Sequence, residues 1–301
     1  MRTVPRMNSV RGWGPAVSIG MPVYNGANYI EAAVESLLGQ THTDFELIIA
    51  DNASTDDTAN ICSEFARRDA RIRFYRGGTN IGAARNYNRV FELATGKYFK
   101  WAAHDDVCGP TFLEKCIGVL DSDPGVVLCY GDEVAVDGEG TVLHDYMNKY
   151  ERLSHLDSGD VARRFHDLSC RRHACFQVFG VTRRETLRKT PLMGRYIGAD
   201  RVLLAELALH GRYVQVDETV FFRRHHSQYC SLSNDAARLR WIDPNSDGPD
   251  NMWRRELGEY LHAIGRAPVG PVARMRCYAA MIDWVRRKRK KLIKELVPVR
   301  I

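Results

Sequence analysis

Between residues 16 and 137, short apolar runs alternate with segments of helical period, and few folds accommodate that alternation. AVSIGMPVYN (16–25), FELIIADN (45–52), IRFYR (72–76), YFKWAA (98–103) and VVLCYGDEVAVD (126–137) read as strands. The second is polar at its ends and apolar inside, the pattern of a parallel strand covered on both faces. Helical spacing fills the gaps. Ile30, Ala33, Val34, Leu37 and Leu38 mark one helix over roughly 27–39, and Ile61 and Phe65 follow STDDT (54–58), where Ser54 and Asp57 suggest a capping box. Ala83, Tyr87, Val90, Phe91 and Ala94 mark a third helix, and Phe112, Leu113, Cys116, Ile117 and Leu120 a fourth, just after Pro110. The expected fold is an open, mostly parallel α/β sheet flanked by helices.

In such sheets ligands bind beyond the carboxyl ends of the strands. Those ends carry Pro22–Asn25, Asp51–Asn52, the turn around Gly77–Gly82, and Asp105–Asp106. The acid doublet in WAAHDDV (101–107) is the sharpest feature, because an unpaired buried charge costs several kcal/mol. Two readings stand: solvated acids that cap the next helix, or carboxylates holding a hard divalent cation shared with phosphates. A nicotinamide dehydrogenase would need G-x-G-x-x-G after the first strand, where this chain has MPVYNGANY with one glycine, and no G-x-x-x-x-G-K-[ST] occurs.

Beyond 137 the periodicity weakens. A helix is expected near 157–168, a strand over Phe176–Thr182, a helix over 197–211 and one or two short strands over 213–226. A polar loop near 243–251 precedes helices near 252–265 and 270–296. The first residues carry no apolar stretch of a secretory signal, and no run approaches the ~20 apolar residues of a membrane span. Eight cysteines lie scattered without C-x-x-C or zinc-ligand spacing, which suggests buried thiols in a reducing, cytoplasmic setting. The net charge of +6 is concentrated late, with seven cations between Arg286 and Lys294 beside Trp284, Val285, Leu292, Ile293 and Leu296. Residues 281–301 therefore read as a solvated charged face or as a basic amphipathic helix in peripheral contact with anionic membrane. No nucleic-acid module accompanies them.

PVYNGANYIEAAVESLLGQTHTDFELIIADNASTDDT, then TNIGAARNYN, then the acid doublet, resemble in order and spacing the family 2 glycosyltransferases of GT-A fold. The likeness covers 16–137 well and 175–230 more loosely. It implies a Rossmann-like sheet that binds a nucleoside diphosphate sugar, with UDP the default. By that resemblance Pro22, Val23, Tyr24 and Asn25 line the base pocket, and Asp51, beside Asn52, accepts a hydrogen bond from the base. Arg85 would approach the diphosphate, and Asn80 would shape its turn. Asp105 would meet the ribose and Asp106 a Mn²⁺ or Mg²⁺ ion, with His226 of RRHH (223–226) returning to the metal or diphosphate. His104 stands where the commoner D-x-D motif has its first acid; contact with sugar or phosphate and plain packing are both open. Asp200 matches the catalytic base of an inverting single displacement; its plainer reading is an N-cap.

The implied division is a tail (1–14), a nucleotide-sugar half (15–137), an acceptor-binding half of the same domain (138–240) and a helical region with a basic tail (241–301). The implied activity is metal-dependent transfer to a glycan or lipid-linked acceptor in surface polysaccharide or glycolipid synthesis. The alternative is a nucleotide-sugar-binding scaffold without turnover.

Overall fold

The computed structural model describes residues 14–146, 150–226, 234–246 and 251–296. Eight strands form one sheet: β1 (Val17–Val23), β2 (Phe45–Asp51), β3 (Ile72–Arg76), β4 (Tyr98–Trp101), β5 (Val107–Cys108), β6 (Val126–Val136), β7 (Val181–Arg183) and β8 (Arg212–Arg224). Their order is β3-β2-β1-β4-β7-β6-β8-β5. The pairs β2–β3, β1–β2, β1–β4 and β6–β8 are parallel; β7 runs antiparallel to both β4 and β6, and β5 antiparallel to β8.

Helices α1 (Ile30–Leu38), α2 (Thr58–Arg68) and α4 (Phe112–Ser122) cover one face. The other carries α3 (Ala83–Glu92), α5 (Val161–Cys170), α7 (Ala199–His210), α9 (Met252–Arg266) and α10 (Pro271–Leu296). Every residue of β1 and β2 is buried, so both faces of these strands supply core. Val17, Ile19 and Met21 pack with Ile30, Val34 and Leu37, while Phe99 and Trp101 pack with Val90, Phe91 and Leu203. Gly20 lets α3 close on the sheet, since a Cβ there would lie 2.7 Å from Val90 Cγ2.

Residues 15–137 follow the expected order of elements, and the differences have local causes. The capping box at Ser54 does not form, and α2 starts at Thr58 because Ser54 Oγ accepts the Asn25 N–H instead. Asp160 caps α5 by accepting from the Ala162 and Arg163 amides, which moves that helix to 161–170. The strand expected over 176–182 is a 3₁₀ turn (Phe176–Phe179) entered through Cys175 at φ 60, with only Val181–Arg183 in the sheet. The 213–226 segment is one strand, β8, paired in parallel along β6 with bulges near Val126 and Tyr130. The two-residue β5 and the four-residue α6 (Arg184–Leu187) were not anticipated.

Neither was α8 (Asp235–Ile242), and the boundary expected at 240/241 falls inside it. Because β7 and β8 enter the common sheet, residues 138–240 are not separable from the first half. The expected tail lies almost wholly outside the described residues, as do Cys230 and 297–301. The described cysteines are all free and buried.

Candidate active site

At the carboxyl ends of β1, β2 and β4, a crevice roofed by α3, α7 and α8 encloses a cavity of about 510 Å³. Pro22 and Val23 line it as β1 ends, and Tyr24 stands at its edge, 37% exposed. Asn25 adopts φ 51, a left-handed conformation that asparagine tolerates. Its N–H donates to Ser54 Oγ at 2.8 Å, and its Oδ1 accepts from the Thr55 N–H at 2.8 Å. The Gly26 N–H donates to Thr58 Oγ1 at 2.8 Å, so the exits of β1 and β2 are tied into one unit.

Asp51 is fully buried and does not itself line the cavity. Its Oδ1 accepts from the Ser54 N–H at 3.0 Å; its Oδ2 accepts no hydrogen bond and lies 3.6 Å from Arg76 Nε. Asn52 and Asn80 both reach the cavity, and each holds the next turn. Asn52 Nδ2 donates to Asn80 Oδ1 at 2.8 Å, and Asn80 Oδ1 also accepts from the Gly82 N–H at 2.9 Å. Asn80 thus shapes its turn as expected. Arg85 does not join them. Ala83, Ala84, Asn86 and Tyr87 turn toward the cavity, and the helical period leaves Arg85 exposed outside it.

Beyond β4, His104, Asp105 and Asp106 all face the cavity. The His104 ring rests on Gly26, where a Cβ would lie 2.5 Å from His104 Cδ2. His226, at the end of β8, brings Nε2 to 3.0 Å from Asp105 Oδ2 and packs on the Tyr29 ring at 4.8 Å. The structure therefore engages His226 with Asp105, the ribose candidate. Burial works against the Asp105 charge, but the His226 hydrogen bond and the charges of His104 and His226 prevail, and its carboxyl sits below the usual carboxylate range. Asp106 goes the other way. Burial and the neighbouring Asp105 charge push its carboxyl well above the usual range, although the Arg224 backbone N–H donates to its Oδ1 at 2.9 Å.

Two buried cations bear on Asp106. Lys100, fully buried inside β4, donates to the carbonyls of Trp101 and Phe179. Arg223 pairs with Glu133 at 2.7 Å. A lysine between aromatics in YFKW was the signal that sequence reading passed over.

Asp200 lies in the first turn of α7 and lines the cavity. It is not the N-cap; Gly198 is, at φ 89. Among the described residues Asp200 Oδ1 accepts a local bond from the Arg201 N–H, at 2.9 Å, and no other. Arg201 is anchored behind it, donating to the carbonyls of Arg171 and His173, with Glu256 at 3.9 Å. From α8, Arg238, Trp241 and Ile242 also reach the cavity, a contribution that no motif announced. Gly82, at φ 86, lets that helix approach: a Cβ there would meet the Ile242 carbonyl oxygen at 2.5 Å.

The donor set suits a hard divalent cation, since Asp105 and Asp106 offer carboxylate oxygen. The cavity acids form no closed three-ligand cage among the described residues.

Comparisons with known proteins agree with this architecture. The model of the family described as "Glycosyl transferase family 2" matches residues 18–188. Chondroitin synthase of Escherichia coli is 35% identical over 134 residues, covering 44% of this chain and 19% of that protein. Across the most similar curated relatives the match spans 19% to 58% of their own length, so this chain covers only part of them. Among solved structures, TarS 1–349 of S. aureus with UDP-GlcNAc superposes with a TM-score of 0.63 at 15% identity, covering 93% of this chain and 79% of that one. The mannosyltransferase PcManGT of Pyrobaculum calidifontis, with GDP-Man and Mn²⁺, gives 0.55 at 16% identity, covering 95% and 85%. At these identities the two structures establish a shared fold.

Proposed function

The chain belongs to glycosyl transferase family 2, and from that premise we propose that it transfers a sugar from a nucleoside diphosphate sugar to a hydroxyl of a glycan or lipid-linked glycan, in surface polysaccharide or glycolipid synthesis. The observation that carries this reading is the convergence of Asp105, Asp106 and Asp200 on one cavity, from a strand end and a helix start far apart in sequence. A UDP-sugar is the favoured donor, and the UDP-GlcNAc bound by TarS supports it. The residues divide the work as follows. Pro22, Val23, Tyr24, Asn25 and Asn52 embrace the base, and Asp51, buried behind that wall, holds the loop after β2 through the Ser54 N–H. Asp105, held by His226, accepts from the ribose hydroxyls.

Asp106 would hold Mn²⁺ or Mg²⁺, which when bound offsets the negative charge growing on the departing diphosphate. Asp200 takes the proton from the acceptor hydroxyl, a poor nucleophile otherwise, as it attacks the anomeric carbon from the face opposite the leaving group. Holding donor and acceptor in line supplies much of the remaining acceleration. Arg238 is the cavity cation on α8 and takes the diphosphate role first expected of Arg85.

A thermal-shift panel of UDP, GDP, dTDP and CDP, each with and without Mn²⁺, tests this reading. A ligand that binds only the folded state raises its stability by mass action. A Mn²⁺-dependent rise with one nucleotide, lost in Asp106→Ala, is expected. No rise with any nucleotide would overturn the donor site.

A further inference from the structure

Helix α10 has two apolar faces, and the fold uses one of them. Cys277, Ala280, Met281 and Trp284 are buried against α5 and α9. On the other side Val272, Met275, Tyr278, Ile282, Val285, Ile293 and Leu296 are exposed, by 37% to 73%. Their steps of three and four residues, with one gap of eight, keep them in a single stripe along a helix of about 39 Å. Scattered exposed apolar residues need no explanation, but seven aligned on one side of a helix do.

The charge beside the stripe identifies its partner. Arg286, Arg289, Lys290 and Lys294 are exposed and form no ion pair among the described residues. The two acids of the helix are already engaged. Asp283 bonds His166 of α5 at 3.0 Å and Arg287 at 2.9 Å, and Glu295 accepts from the Trp253 and Arg254 amides at the start of α9. The outer face is therefore apolar and net cationic, and the partly exposed Asp283 is already paired.

We propose that this face of α10 seats the protein on the surface of an anionic phospholipid bilayer, with the apolar stripe among the acyl chains and the cations at the headgroups. A second copy of the helix fits less well, because pairing two such faces sets cation against cation. A nucleic acid would meet the charge and leave the stripe in water. Among the described residues no helix is long and apolar enough to cross a membrane, so the contact is peripheral. The inference is independent of the transfer reaction, since it is measured without donor or acceptor; if both hold, the cavity works at a membrane surface.

The test is co-sedimentation of the full chain with vesicles of phosphatidylcholine alone and with 30% phosphatidylglycerol. We expect at least ten-fold stronger binding to the anionic vesicles. Two variants separate the contributions. Ile282→Ser with Val285→Ser should weaken binding at least ten-fold at every salt concentration. Arg286→Gln with Arg289→Gln and Lys290→Gln should abolish the preference for anionic lipid. All five side chains are exposed, so circular dichroism and melting temperature should match the parent. Unchanged binding in both variants, or equal binding to neutral and anionic vesicles, would overturn the proposal. So would concentration-dependent dimerisation that Ile282→Ser removes while vesicles capture nothing.

Discussion

His226 Nε2 lies 3.0 Å from Asp105 Oδ2, and the two side chains are only 9% and 11% exposed. A residue just past the end of β8 thus holds an acid 121 positions earlier. Removing the imidazole leaves a buried carboxylate without its partner, at a cost of roughly 1.5–3 kcal/mol for a charge-assisted bond. His226→Ala is expected to weaken UDP binding about 10- to 100-fold, measured by calorimetry, with the acceptor KM unchanged.

Asp200 is held by one local bond, and the helix behind it is anchored by Arg201. Asn at this position keeps the shape but cannot take a proton. Asp200→Asn is expected to lower kcat by about 10²–10⁴, while the nucleotide-dependent thermal shift stays at its parent value. A lost shift would mean that Asp200 supports donor binding rather than proton transfer.

Trp241 stands at the cavity, 45% exposed, on a helix that closes over the crevice through Gly82. An exposed aromatic face beside the transfer site suits the apolar face of an acceptor sugar. Trp241→Ala is expected to raise the acceptor KM by about ten-fold, the equivalent of 1.4 kcal/mol, with donor affinity unchanged. Steady-state kinetics with each substrate varied in turn would check this.

Lys100 is a buried cation whose ammonium holds the Trp101 and Phe179 carbonyls close to Asp106. Losing the hydrogen bonds of a buried charged group commonly costs about 1.5–3 kcal/mol. Lys100→Met should lower unfolding stability by that order in urea titrations, even though methionine matches its volume.

His173 supports the Ala174–Cys175 wall of the cavity. Its Nδ1 accepts from the Cys175 N–H at 3.2 Å, and its Nε2 lies 2.9 Å from the Leu168 carbonyl oxygen. Burial, helped by the Arg201 charge, pushes its pKa from 6.5 down to about 3. The unfolded chain therefore carries one more proton between those two values. This contribution to stability is complete above pH 6.5 and falls as pH drops toward 3, by about 1.4 kcal/mol per unit. His173→Gln should flatten the acid limb of a stability–pH profile by that slope.

Local rules carried much of the reading. The strands and helices of the first half were legible because burial on both faces leaves uninterrupted apolar runs, and because helix period is a one-dimensional pattern. Pro22, Asn25, Asn52, Asn80 and the acid doublet were legible for the same reason: in a parallel sheet the chain order itself puts strand ends on one edge. Arg85 lies outside the cavity because one residue of helical phase separates a cavity wall from solvent. Ser54 was misjudged because a hydroxyl able to cap its own helix met a closer donor in another loop.

By itself, the amino-acid order determined the fold class, the family resemblance and the edge of the sheet where chemistry gathers, since each depends on short-range periodicity and on residues whose spacing is rigid. Only the tertiary structure decided that His226 serves Asp105, that Lys100 lies buried near Asp106, that α8 roofs the cavity, and that α10 keeps one apolar face uncovered. Most of these are meetings of segments dozens to more than a hundred residues apart, or a question of which side of a helix the core claims. Such contacts follow from how whole layers pack, and no local pattern encodes them.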